Sequence, residues 1–459
     1  MHHKESRATL GGKLSAVLVA AGSSVGLGNI WRFPYVAGDN GGGAFLIIYI
    51  LCVLLLGLPL MIAEFSVGRA SHLNAVGAYR KLNRRWSFLG YNGVLAAFLI
   101  LGFYFVVSGW TAEYMVHSAT GEIARYSTAE EYKNLFETFI SNPWRPVLYT
   151  CLFVLATHFV IALGVQKGIE NASRLMMPVL AVLIVVIALY SLTIPGALAG
   201  LKYYLMPDFS QFSASTVLGA CGQMFYSMSL AMGITITYGS YMPKENLLEH
   251  SVTQIEIFDT LFAFFAGLMI IPSVIAFNGG DPSQVNSGPS LMFISLPMVF
   301  DSMKFGTVIG AVFFLLVLFA ALTSSIALME TLASVIMDKF KLKRIPATLI
   351  IIAVCLVVGM LSCLGYGPWE SVTIIGMQFL DFFDFISNSV LMPIVAVLTC
   401  VLIGHVVGTK VVADEVKSGA GSFRREKLHR VMIRWIAPVL LVAILASELA
   451  SKIFGVFSI

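Results

Sequence analysis

The chain has 459 residues, 58% of them hydrophobic and only 12% charged, against about 25% charged in a soluble domain. That excludes a soluble globular protein and leaves a polytopic, all-α membrane protein with little room for a separate soluble domain. The net charge of +4 sits in short connections between apolar runs, so it does not argue for a nucleic-acid partner.

Residues 1–13, MHHKESRATLGGK, are polar and short, and no small-residue cleavage site follows a compact apolar core. The sequence therefore predicts a cytoplasmic N-terminal segment and no signal peptide. A membrane-crossing helix needs roughly 17–25 apolar residues. Eleven segments qualify: 14–37, 42–68, 88–117, 146–163, 172–194, 215–241, 252–277, 306–337, 345–364, 372–405 and 432–456. Most of the 29 Lys and Arg fall in alternate connections, on the side of the N-terminus. The positive-inside rule places that side in the cytoplasm. An odd number of spans then puts the C-terminus outside.

The first segment is unlike an ordinary membrane helix. Gly22, Gly26 and Gly28 crowd its middle, followed by Asn29, Arg32 and Pro34. Glycine costs a helix about 1 kcal/mol relative to alanine. Freed carbonyls are tolerated at membrane depth only where something else satisfies them. A cation can do so, and a broken helix also presents N–H groups that suit a carboxylate. The sixth segment, STVLGACGQMFYSMSLAMGITITYGSY, has a second such place around Gln223, Tyr226, Ser227, Ser229 and Gly233. Interruptions at corresponding places in two sets of five helices point to an inverted repeat with a binding site between its halves. The implied organisation is 1–13, a first repeat over 14–194, a second over 215–405, and a cytoplasmic loop with the eleventh helix over 406–459.

Further along, Thr323, Ser324 and Ser325 place three adjacent hydroxyls inside the eighth segment. Singly, such groups usually bond back to their own helix; together they suit an oxygen-ligand role. Charges within a membrane are expensive and functional by default. Here they are Glu64, Asp259, Glu330, Asp381, Asp384 and Arg32. Asp384 is the candidate partner of Arg32. Glu64 reads as a structural pair or a cap on the broken first helix, and Asp259 as a buried carboxylate that wants a cation. The six cysteines have no paired spacing and read as small core residues. His72, His117, His158, His250, His405 and His429 lack ligand spacing and read as interface residues. Residues 118–145 predict an external amphipathic helix, and 278–304 a re-entrant or lid-like hairpin. No phosphate loop, nucleophile elbow or zinc motif occurs, which argues against an enzyme and an organic cofactor.

Several stretches are similar to the neurotransmitter:sodium symporter family, in its bacterial amino-acid-transporting branch. They are AGSSVGLGNIWRFPYVAGDNGGGAFLIIY, GLPLMIAEFSVGR, SGWTAEY, GQMFYSMSLAMG, TYGSY and LTSSIALME. The resemblance covers nearly the whole chain and implies the five-plus-five inverted-repeat fold with unwound first and sixth helices and two sodium sites. For the first site it implies the Ser24 carbonyl with Asn29 and Ser227. Asp259 falls where the family often has Asn. For the second it implies the carbonyls of Gly22, Val25 and Ala320 with Thr323 and Ser324. Substrate positions are Ser24, Gly26, Ile100, Tyr104, Phe225, Tyr226, Ser227, Ser229, Met232, Ser325 and Leu328, with Tyr104 at the substrate carboxylate and Tyr226 as an aromatic lid. Arg32 with Asp384 resembles the outer gate, and Arg7 with Asp338, beside Tyr241, the inner one. Leu10 replaces the Trp that many members carry.

The expected function is sodium-coupled symport of a neutral, hydrophobic L-amino acid, aromatic or branched, across the cytoplasmic membrane. The partners are the substrate, sodium and the lipid bilayer, with no obligate protein partner. Asp259 implies chloride independence and a protonated carboxyl in the sodium-free return state. The competing reading is an amino-acid-responsive sensor or ligand-gated channel on the same fold. A channel calls for a continuous polar face, whereas the polar residues here concentrate at one depth.

Overall fold

The computed structural model describes residues 10–126, 128–279, 290–418 and 421–454. Among these described residues, nine helices are long and apolar enough to cross a membrane: Gly43–Ser71, Arg84–Ala119, Arg145–Ala162, Val165–Ser191, Leu248–Phe277, Gly306–Phe340, Arg344–Gly365, Phe379–Val406 and Glu426–Ala450. A further span is a bent pair, Leu14–Ser24 with Gly28–Asp39, broken by 55°. Between the fifth and seventh spans runs a second interrupted helix, Ala214–Ser227 followed by Ile234–Gly239. Counting each interrupted pair as one gives eleven spans among the described residues, with the breaks in the first and the sixth.

Two boundaries differ most from the hydropathy reading. The fifth span starts at Val165, before residue 172, because Gly164 at φ 89 turns the chain directly out of the fourth. The tenth starts at Phe379, after residue 372, because Gly365, Gly367 and Pro368 end the ninth span and a run of turns follows. The external helix expected within 118–145 is Ala129–Ser141, started by a reciprocal Thr128–Glu131 capping box. A short helix, Ala197–Leu205, joins the fifth and sixth spans and was not expected. Of the expected 278–304 hairpin, residues 280–289 lie outside the described residues, and Leu291–Asp301 is helical.

Burial sorts the spans into an inner and an outer set. The third and eighth pack along much of their length, with the first, second, sixth and seventh beside them. The fourth shows why an outer helix stays outside. Leu148, Leu152, Leu155 and Phe159 recur at helical spacing and are all exposed, an apolar stripe that only lipid covers. At one end of the bundle, Phe293 packs on Trp110, Tyr114, Phe136 and Phe314 at centroid distances of 5.0 to 6.4 Å. Aromatic pairs of this kind add about 0.5–1.5 kcal/mol each beyond burial. The cluster fastens Leu291–Asp301 and Ala129–Ser141 across the third and eighth spans.

Candidate functional site

The break in the first span is a short extended step. Helix Lys13–Ser24 ends at Val25, with φ −73 and ψ 105, and a wide turn restarts it at Gly28. Gly26 N–H donates to Asn29 Oδ1 at 3.0 Å, and Leu27 N–H to the Tyr104 hydroxyl at 3.1 Å. The glycines are there for space. A Cβ on Gly26 would lie 2.5 Å from Ser324 Oγ, and one on Gly28 2.5 Å from the Tyr226 ring.

The sixth span breaks over residues 228–233. Ser229 (φ 53), Ala231 (φ 64) and Gly233 (φ 80) all take left-handed backbone. For the two non-glycines that strain costs on the order of 1 kcal/mol or more each, and something must hold it. Glu64 does. Its Oε1 accepts from Ala231 N–H at 3.0 Å, and its Oε2 accepts from the Thr235 hydroxyl. The carboxylate expected to form a structural pair or to cap the first helix therefore caps the sixth, because the half of the second span that carries it packs on Ile234–Gly239. Ser229 Oγ in turn donates to the Ser23 carbonyl at 3.0 Å, joining the two breaks.

Two oxygen clusters flank this junction. In the first, Asn29 Nδ2 donates to Asp259 Oδ1 at 2.8 Å and to Ser227 Oγ at 2.9 Å. Ser227 Oγ lies 2.9 and 2.8 Å from the two Asp259 oxygens, and the Tyr49 hydroxyl donates toward Ser227 at 3.5 Å. Asn29, Ser227 and Asp259 are fully or almost fully buried. In the second, Thr323 Oγ1 donates to the Ala320 carbonyl at 2.9 Å and Ser324 Oγ to the Val25 carbonyl at 3.2 Å. Thr323 also reaches the Val25 carbonyl at 3.5 Å, and Gly22 abuts the Thr323 side chain. One cluster offers a single carboxylate and the other only neutral oxygens. No group of three or more His, Cys, Asp or Glu that could hold a metal occurs among the described residues. Such donor sets fit hard, singly charged cations rather than zinc, iron or copper.

Between the clusters lies a cavity. It is lined by Ser24, Gly26, Ile100, Tyr104, Tyr226, Ser229, Met232 and Leu328, all expected at the substrate. Ser324 also lines it, together with Ser23, Leu27, Gly28 and Ile234, which the sequence reading did not assign to the substrate. No ionisable side chain other than the two tyrosines lines it. One end offers backbone and hydroxyl groups; the other is aliphatic. Phe225, Ser227 and Ser325 do not line it. Phe225 borders a separate cavity with Arg32 and Glu448, Ser227 faces the Asp259 cluster, and Ser325 is fully buried with its hydroxyl unpartnered. Each neighbours a lining residue on a helix, where one step turns the side chain by about 100°.

Tyr226 borders both this cavity and an outer one lined by Trp31, Arg32, Tyr35, Asp381 and Asp384. The Arg32 guanidinium stacks 5.0 Å over the Tyr226 ring and donates to Gln223 Oε1 at 3.1 Å. Gln223 returns to the Gly28 carbonyl at 2.9 Å. Arg32 and Asp384 face one another across the outer cavity with no ion pair between them. Asp384 instead accepts from Asn388 at 2.5 Å. At the opposite end, the Tyr241 hydroxyl donates to Glu330 Oε1 at 2.7 Å, and the Arg344 guanidinium grips both oxygens of the same carboxylate. Asp338 accepts from Asn74 at 2.6 Å; Arg7 lies outside the described residues. Arg344 and Asn74 were not foreseen. In the sequence Arg344 is one of four basic residues in a short loop.

The model of the sodium:neurotransmitter symporter family matches residues 7–142 and 137–454. An uncharacterised sodium-dependent transporter of Bacillus subtilis is 39% identical over 414 residues, covering 89% of this chain and 90% of its own length. A counterpart in Haemophilus influenzae is 32% identical, covering 97% and 99%. The solved structure of MhsT in complex with L-phenylalanine superposes with a TM-score of 0.88 at 39% identity, covering 96% of this chain and all of that one.

Proposed function

The chain belongs to the sodium:neurotransmitter symporter family, a family of sodium-dependent membrane transporters and not of enzymes, and from that premise we propose sodium-coupled symport of a neutral, hydrophobic L-amino acid by alternating access. The reading includes two sodium ions, one at each oxygen cluster. The N-terminus faces the cytoplasm, the C-terminus the outside, and the membrane is the cytoplasmic one.

One observation carries it. The six residues 24–29 serve the cavity and both clusters at once. Val25 gives its carbonyl to the Thr323–Ser324 cluster, Asn29 its side chain to the Asp259 cluster, and Gly26 and Leu27 their backbone to the cavity between. An ion in either cluster orders the same strand of backbone that the substrate must grip. Ions and substrate therefore stabilise one conformation, which is the thermodynamic content of coupling.

The substrate carboxylate would meet the exposed N–H groups and the Tyr104 hydroxyl. Its side chain would lie against Ile100, Met232, Ile234 and Leu328. Met232 is flexible enough to admit a large group, and the MhsT complex holds an aromatic amino acid. Tyr226 closes the cavity from the Arg32 side, and the Glu330–Arg344–Tyr241 network closes the other end. Asp259 supplies a fixed negative charge to the first cluster, so chloride is not required, in contrast to the sodium- and chloride-dependent GABA transporter 2 of Rattus norvegicus, 25% identical to this chain.

A thermal-shift screen of the twenty amino acids, in sodium and in potassium, tests the reading. Stabilisation by aromatic or branched residues in sodium alone is expected. Equal stabilisation in potassium, or none by any hydrophobic amino acid, would overturn it.

A further inference from the structure

The second and sixth spans touch at several points, and they do so in one register. Taken in chain order, Cys52 meets Cys221, Gly57 abuts Met228, Glu64 bonds to Ala231 and Gly68 abuts the Ile236 carbonyl. The offset is 169 positions at Cys52–Cys221 and 167 at Glu64–Ala231, so the two spans run parallel without slipping. Space is tight at both glycines. A Cβ on Gly57 would lie 2.4 Å from Met228 Sδ, and one on Gly68 2.0 Å from the Ile236 oxygen.

In that register the sulfurs of Cys52 and Cys221 lie 3.0 Å apart. Both residues are buried, at 8% and 2% exposed, whereas Leu51 and Leu55 beside Cys52 are exposed on the lipid side. Neither cysteine lines the cavity or supplies either oxygen cluster. All six cysteines are free thiols, and no other two of them make such a contact among the described residues. A lone buried thiol is an inert small hydrophobe; a second thiol in contact gives it a reaction partner. An S–S bond then needs a further approach of about 1 Å. In the orientation proposed above, both residues fall in the outer half of their spans, toward the oxidising side of the membrane.

We propose that Cys52 and Cys221 are a redox-closable pair, whose disulfide staples the second span to the sixth and leaves transport running. Its effect on transport rests on the symport reading above; the bond itself does not. The oxidant is an uncharged two-electron acceptor of the azo or quinone class, which reaches the pair from the lipid. With an azo compound, one thiol adds across the N=N bond. The second thiol attacks that sulfur, forms the S–S bond and expels the hydrazine. Two S–H bonds break, and both protons and both electrons end on nitrogen. The staple joins parts already in register, so it constrains the unfolded chain more than the folded one. It closes a loop of 169 positions, and long loops gain the most stability.

The test treats the full-length protein with the azo oxidant diamide, denatures it and counts free thiols by maleimide mass tagging. Wild type carries six thiols. It should lose two on treatment and regain them with dithiothreitol. Cys52→Ala and Cys221→Ala should lose none, and Cys355→Ala should still lose two. Treated wild type should melt at least about 3 °C higher, and Cys52→Ala should not. Sodium-driven uptake of labelled L-phenylalanine into proteoliposomes should be equal before and after treatment. No loss of thiols from the wild type overturns the proposal, and so does an equal loss from Cys52→Ala. Uptake that diamide abolishes in the wild type but not in Cys52→Ala, and that dithiothreitol restores, overturns it too, because the two spans would then part during transport. A reduced protein that takes up no phenylalanine counts against the substrate reading, and the thiol count alone then decides the pair. Should neither alanine variant fold, peptide mapping of treated wild type decides: a link between residues 52 and 221 is required, and a link elsewhere overturns the proposal.

Discussion

The Ser229 hydroxyl donates to the Ser23 carbonyl at 3.0 Å, so the loosest point of the sixth span is fastened to the last turn of the first helix segment. Ser23 and Ser229 both border the cavity as well. The bond therefore couples the two breaks directly, without passing through substrate. Ser229→Ala removes it while leaving the left-handed backbone in place. A buried hydrogen bond of this kind is worth about 1 kcal/mol. Amino-acid affinity measured in saturating sodium should fall by about fivefold, with little change in folding yield. An unchanged affinity would show that the two breaks are held together by other contacts.

Gly26→Ala should act on the ions first. Its methyl group would lie 2.5 Å from Ser324 Oγ and 2.9 Å from the Tyr104 hydroxyl. Relief of that overlap displaces Ser324 from the Val25 carbonyl. Sodium half-saturation of uptake should rise by at least about tenfold, equivalent to about 1.4 kcal/mol. A substrate defect with normal sodium dependence would contradict the assignment of Val25 and Ser324 to an ion.

The Glu330–Arg344 pair makes a sharper contrast. Glu330 is fully buried, and Arg344 supplies its counter-charge. Arg344→Gln strands the carboxylate, with an expected cost of about 3–5 kcal/mol. Glu330→Gln combined with Arg344→Gln removes both charges and should recover most of that loss. Chemical or thermal unfolding of the three variants reads the difference. If the double variant is no more stable than Arg344→Gln alone, the pair is not the source of the stability.

Asp259→Asn takes the fixed charge from the first cluster but keeps its shape. Uptake by this variant in proteoliposomes should become stimulated by chloride, whereas the wild type should transport equally in chloride and gluconate. Strong chloride stimulation of the wild type would end the argument from Asp259.

The sequence disclosed the two breaks because helix formation and membrane burial pull against each other there. Three glycines and an Asn in an apolar run have no cheap helical explanation, and the structure interrupts the helix at that point. The oxygen-bearing side chains Asn29, Ser227 and Asp259 were also legible, since each is costly where it stands, and the fold brings them together from three different spans. What could not be read were choices of direction and of distant partner. Phe225 and Ser325 each sit one helical step from a cavity residue and point elsewhere. Glu64 caps a helix more than 160 positions away. Cys52 and Cys221, with no meaningful spacing, place their sulfurs 3.0 Å apart between the second and sixth spans. Periodicity reports which face of a helix is apolar, but not which helix will stand opposite.

The grip of Glu64 on Ala231 and Thr235 also constrains how the molecule can move. Strained backbone that depends on one carboxylate loses its support if the carboxylate stays behind. In the proposed alternating-access cycle the second span must therefore travel as a passenger of the sixth. The mechanical joint of the cycle then falls where neither of these two helices is bonded to the rest.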